Sequence, residues 1–125
     1  MSSKILIVDD DPDFLFVLRH VLTRAGYEVV SAESGREGIE KASDEKPDLV
    51  ILDIIMPDTD GWEVCRKIKE DSPDIPISMC SILRNSDEIE KSFNSGAERH
   101  ITKPLNFEEV LDTVRTMQLN PSLAT

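Results

Sequence analysis

Between Pro47 and Gly61 the chain reads PDLVILDIIMPDTDG. Leu49, Val50, Ile51 and Leu52 are consecutive apolar residues without polar alternation, the pattern of a strand covered on both faces in a parallel sheet. Asp53 ends the run. A carboxylate is therefore expected on a fixed backbone at the sheet edge, where α/β proteins bind ligands, and within reach of solvent. Pro57 and the turn-forming residues from Asp58 to Gly61 then lead the chain out of the strand before helical periodicity resumes.

Upstream, Ile5 to Val8 is a second apolar strand that also ends in acid, at Asp9, Asp10 and Asp11. Asp11 before Pro12 reads as an N-cap with proline at the first helical position. Phe14, Leu15, Val17, Leu18, Val21 and Leu22 recur at three and four, which predicts one buried helix face, and Gly26 stops the helix. Tyr27 to Ser31 is a short strand, and Ser34 with Glu37 has capping-box spacing for a helix carrying Ile39 and Ala42. Downstream, Asp60 and Glu63 repeat that spacing before Val64, Cys65 and Ile68. Ile75 to Ile82 is strand-like, with Pro76 tolerable only near its beginning. Asn85 and Glu88 cap a fourth helix with a stripe of Ile89 and Phe93, closed at Gly96. Ala97 to Thr102 is a last strand, broken at Lys103 and Pro104. Asn106 caps a fifth helix carrying Val110, Leu111, Val114 and Met117.

Strand and helix thus alternate five times at βαβ spacing, so the expected fold is α/β: a doubly wound five-stranded parallel sheet with five helices. One domain is expected over residues 1–119, with residues 120–125 a disordered tail. Helix crossovers bring the C-terminal ends of parallel strands to one edge. At that edge the sequence puts Asp9 and Asp10, Asp53, Ser81 and Lys103.

Fourteen Lys and Arg against twenty-five Asp and Glu leave a net charge of −11. That balance repels phosphate backbones and anionic lipid, and argues against direct nucleic-acid or membrane binding by this chain. No apolar run approaches the roughly 20 residues of a membrane span, and a cytoplasmic location is expected. Cys65 and Cys80 have no metal-ligand spacing and read as buried, inert thiols.

Three carboxylates gathered at one edge repel one another, and a divalent cation together with a lysine would offset them. Mg²⁺ suits this set, since it takes oxygen ligands and keeps several waters. Asp10 and Asp53 are the preferred ligands, with Asp9 acting through water and Ile55 lending its carbonyl. One Asp53 oxygen would remain free as a nucleophile toward a phosphoryl group, giving an acyl phosphate. Lys103 would neutralise the transferred oxygens, and the Ser81 hydroxyl would donate a hydrogen bond to one of them.

These pieces resemble the receiver domain of two-component response regulators. The likeness runs from Lys4 to about Met117 through Ile5 to Asp11, Asp48 to Asp53, Met56 with Pro57, Asp60 with Gly61, Ser81, Gly96 with Ala97, and Lys103 with Pro104. The resemblance implies a flavodoxin-like strand order 2-1-3-4-5, for which a member of this family is a standard example. It implies Asp53 as phosphoacceptor, Asp9 and Asp10 as the acidic pair, Ser81 as switch hydroxyl, Lys103 as phosphate partner and a cis peptide before Pro104. His100 falls where relatives carry a switching aromatic residue. A histidine kinase or histidine phosphotransfer domain would be the donor. The helix 4, strand 5 and helix 5 surface would change its affinity for a downstream protein. Such a chain is a regulatory phosphoacceptor rather than an enzyme.

Several positions depart from the family pattern. Ile82 follows Ser81 where a small residue is common, and Leu105 follows Pro104 where phenylalanine is frequent. Ile55 and Leu83 are apolar and cannot orient a hydrolytic water, which predicts a slowly decaying acyl phosphate. An EF-hand reading fails because Met56 and Lys67 would occupy ligand positions. A Mg²⁺-dependent phosphohydrolase would need a second carboxylate where Ile55 stands. A receiver-like module that is never phosphorylated conflicts with the retained Asp53, Asp10 and Lys103.

Overall fold

A computed structural model describes residues 3–119; the tail expected over residues 120–125 lies outside the described residues. Ten elements alternate: β1 (Lys4–Val8), α1 (Pro12–Arg24), β2 (Glu28–Ala32), α2 (Gly35–Glu45), β3 (Leu49–Leu52), α3 (Gly61–Asp71), β4 (Ile77–Ser81), α4 (Ser86–Asn94), β5 (Arg99–Thr102) and α5 (Phe107–Leu119). The strands form one sheet in the order β2-β1-β3-β4-β5, parallel throughout. Both the doubly wound architecture and the strand order match expectation.

Because side chains alternate across a strand, each apolar run supplies both layers of the core. Ile5, Ile7, Leu49 and Ile51 face Leu15, Leu18 and Leu22 of α1 and Val110, Val114 and Met117 of α5. Leu6, Val8, Val50 and Leu52 face Ala42 of α2 and Val64, Cys65 and Ile68 of α3. Every helix start is capped by the residue the sequence nominated. The side chains of Asp11, Ser34, Asp60 and Asn85 accept from first-turn N–H groups of α1 to α4, and Asn106 accepts from Glu108 and Glu109 at the start of α5. The Lys103–Pro104 peptide is cis.

The differences are local. β4 starts at Ile77, because Pro76 has no N–H for the ladder, although its carbonyl still accepts from Val50. β5 starts at Arg99, after Gly96 has taken a positive φ. Val17 and Phe93 were expected on buried faces but are 45% and 48% exposed. In α1 the line that meets the sheet is Leu15, Leu18 and Leu22, and Val17 lies off it. Both thiols are buried, and burial pushes Cys80 up to about 12.

Candidate functional site

The C-terminal ends of β1, β3 and β5 open onto a cavity of about 260 Å³ lined by Asp9, Asp10, Asp11, Asp53, Ile55, Ile82 and Lys103. Asp9 follows β1 with its backbone still hydrogen-bonded to Ala32, and Asp53 follows β3 with its N–H on the Val8 carbonyl. Two adjacent strands therefore deliver two acids to one point. Both are buried, at 2% and 6% exposure, whereas Asp10 is exposed. Asp53 lines this cavity but is more buried than the solvent-reachable carboxylate expected from the sequence.

Gly61 explains how the phosphoacceptor candidate is held. A Cβ at this position would stand 2.2 Å from the Asp53 carbonyl oxygen and 2.6 Å from the Ile54 Cα. Only glycine lets the start of α3 close against the end of β3, and the Gly61 N–H donates to the Ile54 carbonyl at 2.7 Å.

Lys103 reaches across from the end of β5. Its Nζ lies 2.7 Å from Asp9 Oδ2 and 3.7 Å from Asp53 Oδ2. Burial pulls the lysine downward, but the Asp9 hydrogen bond and the two carboxylate charges outweigh it, so its pKa stands above the ordinary value. Asp53 is shifted up, first by burial and then by the Asp9 charge. Lys103 and the N–H groups of Ile54 and Ile55 offset part of that rise.

Asp9, Asp10 and Asp53 each offer a carboxylate oxygen within 4.8 Å of the others, a spacing one divalent cation can span. Both Asp9 oxygens are already engaged, by Lys103 and by the Asp11 N–H. Oxygen donors, mixed exposure and excess negative charge fit a hard cation with waters retained. The Asp53 oxygens are engaged as well, Oδ1 by the Ile54 N–H and Oδ2 by the Lys103 ammonium, whereas Asp10 stands exposed beside them.

The remaining candidates are less uniform. Ser81 ends β4 fully buried, and its hydroxyl accepts from the Leu83 N–H at 3.3 Å. His100 is half-buried on β5: its Nε2 lies 2.7 Å from the Leu83 carbonyl and its Nδ1 2.8 Å from Ser92 Oγ. The carbonyl can only accept, so Nε2 carries the proton. Ser92 Oγ also receives the Trp62 indole N–H at 3.1 Å. Leu83 packs against the core rather than the cavity, unlike Ile55 and Ile82, which line the mouth at 49% and 62% exposure.

Two features escaped the sequence. Phe14, counted there among core residues, presents its ring to the Lys103 ammonium at 4.2 Å from the centroid. Asp58, read as a turn residue, accepts from the N–H groups of Gly35 and Arg36, adding a second cap to α2 from 22 and 23 residues away.

Comparison with known proteins agrees with this geometry. Residues 5–115 match the model for the response regulator receiver domain. The chain is 36% identical over 99% of its length to the alkaline phosphatase synthesis transcriptional regulatory protein PhoP of Bacillus subtilis, covering 52% of that protein. It is 33% identical over 92% of its length to Protein PilH of Pseudomonas aeruginosa, covering 97% of it. The chain spans about half the length of the first curated relatives it matches, which include a DNA-binding regulator of Synechocystis. Among solved structures, a CheY-like response regulator receiver domain protein from Methanospirillum hungatei superposes with a TM-score of 0.94 at 30% identity, over 100% of both chains. A two-component response regulator from Clostridium difficile gives 0.90 at 34% identity, over 93% of this chain and 95% of that one.

Proposed function

This chain belongs to the response regulator receiver family, whose members are phosphoacceptor switches, and from that premise we propose that Asp53 is the acceptor and Lys103 its phosphate partner. The observation that carries the assignment is the convergence of Asp53, the acidic pair and the Lys103 ammonium on one cavity.

In the proposed transfer, an Asp53 carboxylate oxygen attacks phosphorus while the bond to the donor breaks. The donor is the phosphohistidine of a histidine kinase or phosphotransfer domain, and its imidazole leaves with the electron pair and takes up a proton. Lys103 shifts from Asp9 toward the incoming oxygens. Ser81 exchanges its contact with Leu83 for a hydrogen bond to the phosphoryl group. Mg²⁺, held by Asp10, Asp53 and the Ile55 carbonyl with Asp9 through water, would supply charge neutralisation as the phosphoryl group approaches.

The same residues give the switch a route outward. Moving Ser81 releases the Leu83 N–H, and the Leu83 carbonyl is tied through His100 to Ser92 in α4 and Trp62 in α3. The surface of α4, β5 and α5 would then alter its affinity for a downstream protein. Ile55 and Ile82 line the mouth and offer no polar group of their own to orient a hydrolytic water, so self-dephosphorylation is slow. An Ile55→Asn change should shorten the phosphoryl half-life; an unchanged half-life removes Ile55 from that explanation. Leu83→Glu is a poor companion test, because it would place a charge against the core.

Residues 1–119 are read as the receiver unit, acting in the cytoplasm; no helix among the described residues is long and apolar enough to cross a membrane. Incubation with acetyl phosphate and Mg²⁺, followed by intact mass, tests the assignment. Wild type should gain one phosphoryl group and Asp53→Asn none; equal labelling of both would reject Asp53.

A further inference from the structure

The Lys103 ammonium has three neighbours: Asp9 at 2.7 Å, Asp53 at 3.7 Å and the Phe14 ring at 4.2 Å from its centroid. Two are carboxylates that belong to the reaction already described. The third comes from the first turn of α1 and is nonpolar. The Phe14 N–H donates to the Asp11 cap at 3.3 Å, and the side chain packs against the core layer that contains Leu15 and Leu18. The ring is thus anchored from both the backbone and the core.

An aromatic face attracts a cation through its quadrupole without supplying a lone pair. An ammonium has three N–H donors and no acceptor. If a third carboxylate or a carbonyl stood in place of the ring, it would hold a donor that the phosphoryl oxygens need. The ring instead keeps the charge near the cavity mouth while leaving those donors free to reorient. It also covers one side of a lysine side chain that is only 18% exposed, which lowers the screening of its charge by water.

We infer that Phe14 is a positioning residue for phosphoryl transfer, acting through Lys103 by holding the ammonium between Asp9 and Asp53. This rests on the phosphoacceptor reading given above. It assigns to α1 a role in the chemistry, beyond covering the sheet.

The test is a double-mutant cycle on the rate of phosphorylation by phosphoramidate with Mg²⁺, followed by intact mass. Phe14→Leu keeps an apolar side chain and removes the π face, and should slow labelling about three- to ten-fold. Phe14→Tyr keeps the face and should stay within about two-fold of wild type. In a Lys103→Met background, Phe14→Leu should change the rate by less than about 1.5-fold, because the group it acts through is gone. An equal loss in both backgrounds would mean that the ring acts by packing alone, and no loss in wild type would mean that it does not act; either overturns the inference. A second readout needs no variant: the Lys103 ε-methylene protons should show an upfield ring-current shift in NMR spectra of the unmodified protein. Resonance at the ordinary lysine position would also overturn it. If wild type itself takes no label, the phosphoacceptor reading fails instead, whereas a labelled wild type matched by Phe14→Leu rejects only the role of the ring.

Discussion

The Lys103 ammonium sits 2.7 Å from Asp9, a full ångström closer than to Asp53. In the unphosphorylated state the lysine is therefore stationed on the buried member of the acidic pair, and Asp53 is only partly compensated. Burial and the Asp9 charge raise the Asp53 pKa. Ionising Asp53 is therefore harder in the folded protein than in the unfolded chain, which costs stability at neutral pH.

Replacing Asp53 with Asn removes that cost. Urea denaturation at pH 7 should show the variant more stable than wild type by about 0.5–2 kcal/mol. The gap should close as the pH falls below about 3.9, the ordinary aspartate value, where both folded and unfolded chains carry the protonated acid. A constant gap across that range would place its origin outside this ionisation.

Magnesium should stabilise wild type through the same carboxylates. At ten times its dissociation constant a ligand adds about 1.4 kcal/mol, read as a rise in melting temperature that a chelator reverses. Asp10→Asn and Asp53→Asn should each abolish or strongly reduce the rise. Retention of the full shift in both would contradict the proposed ligand set.

Gly61→Ala places a methyl group where the Asp53 carbonyl oxygen and the Ile54 Cα stand. Neither neighbour is a flexible side chain, so the start of α3 or the end of β3 has to move. The expected loss is about 1–3 kcal/mol in chemical denaturation. Slower phosphorylation should accompany it, because the displaced backbone carries the proposed acceptor.

Asp58 ties the loop after β3 to the start of α2. The N–H groups of Arg36 and Gly35 lower its pKa, so the folded state prefers the carboxylate. Its stabilisation is present above the unfolded aspartate value and is lost as pH falls through the lower folded value. Asp58→Ala should cost about 1 kcal/mol near pH 7, the usual value of a helix cap. The cost should shrink toward pH 3 in matched urea titrations.

The fold was readable because β1 and β3 are short apolar runs ended by acid and each helix begins on a recognisable cap. Asp9, Asp53 and Lys103 were legible for the same reason: a residue that ends a parallel strand can only emerge at the common edge. Periodicity says less about where along a helix a side chain lies. Phe14 shares the stripe of Leu15 and Leu18, yet sits in the first turn, high enough to meet Lys103. Contacts between distant charged residues left no local trace. Lys69 and Glu98 form a largely buried pair at 2.8 Å, and Glu98 also accepts from the Ile77 N–H, but both stand among other charges in the sequence. The Asp58 cap was hidden in the same way, since Ser34 already satisfied the local signal for α2.

The most direct measurement is the chemical identity of the modified position. Protein treated with acetyl phosphate and Mg²⁺ is reduced with borohydride, which converts an aspartyl phosphate to homoserine, and is then mapped by tandem mass spectrometry. Homoserine at position 53 alone, lost when chelator replaces Mg²⁺, is the expected result. Homoserine at position 9 or 10, or label that resists borohydride, would contradict it.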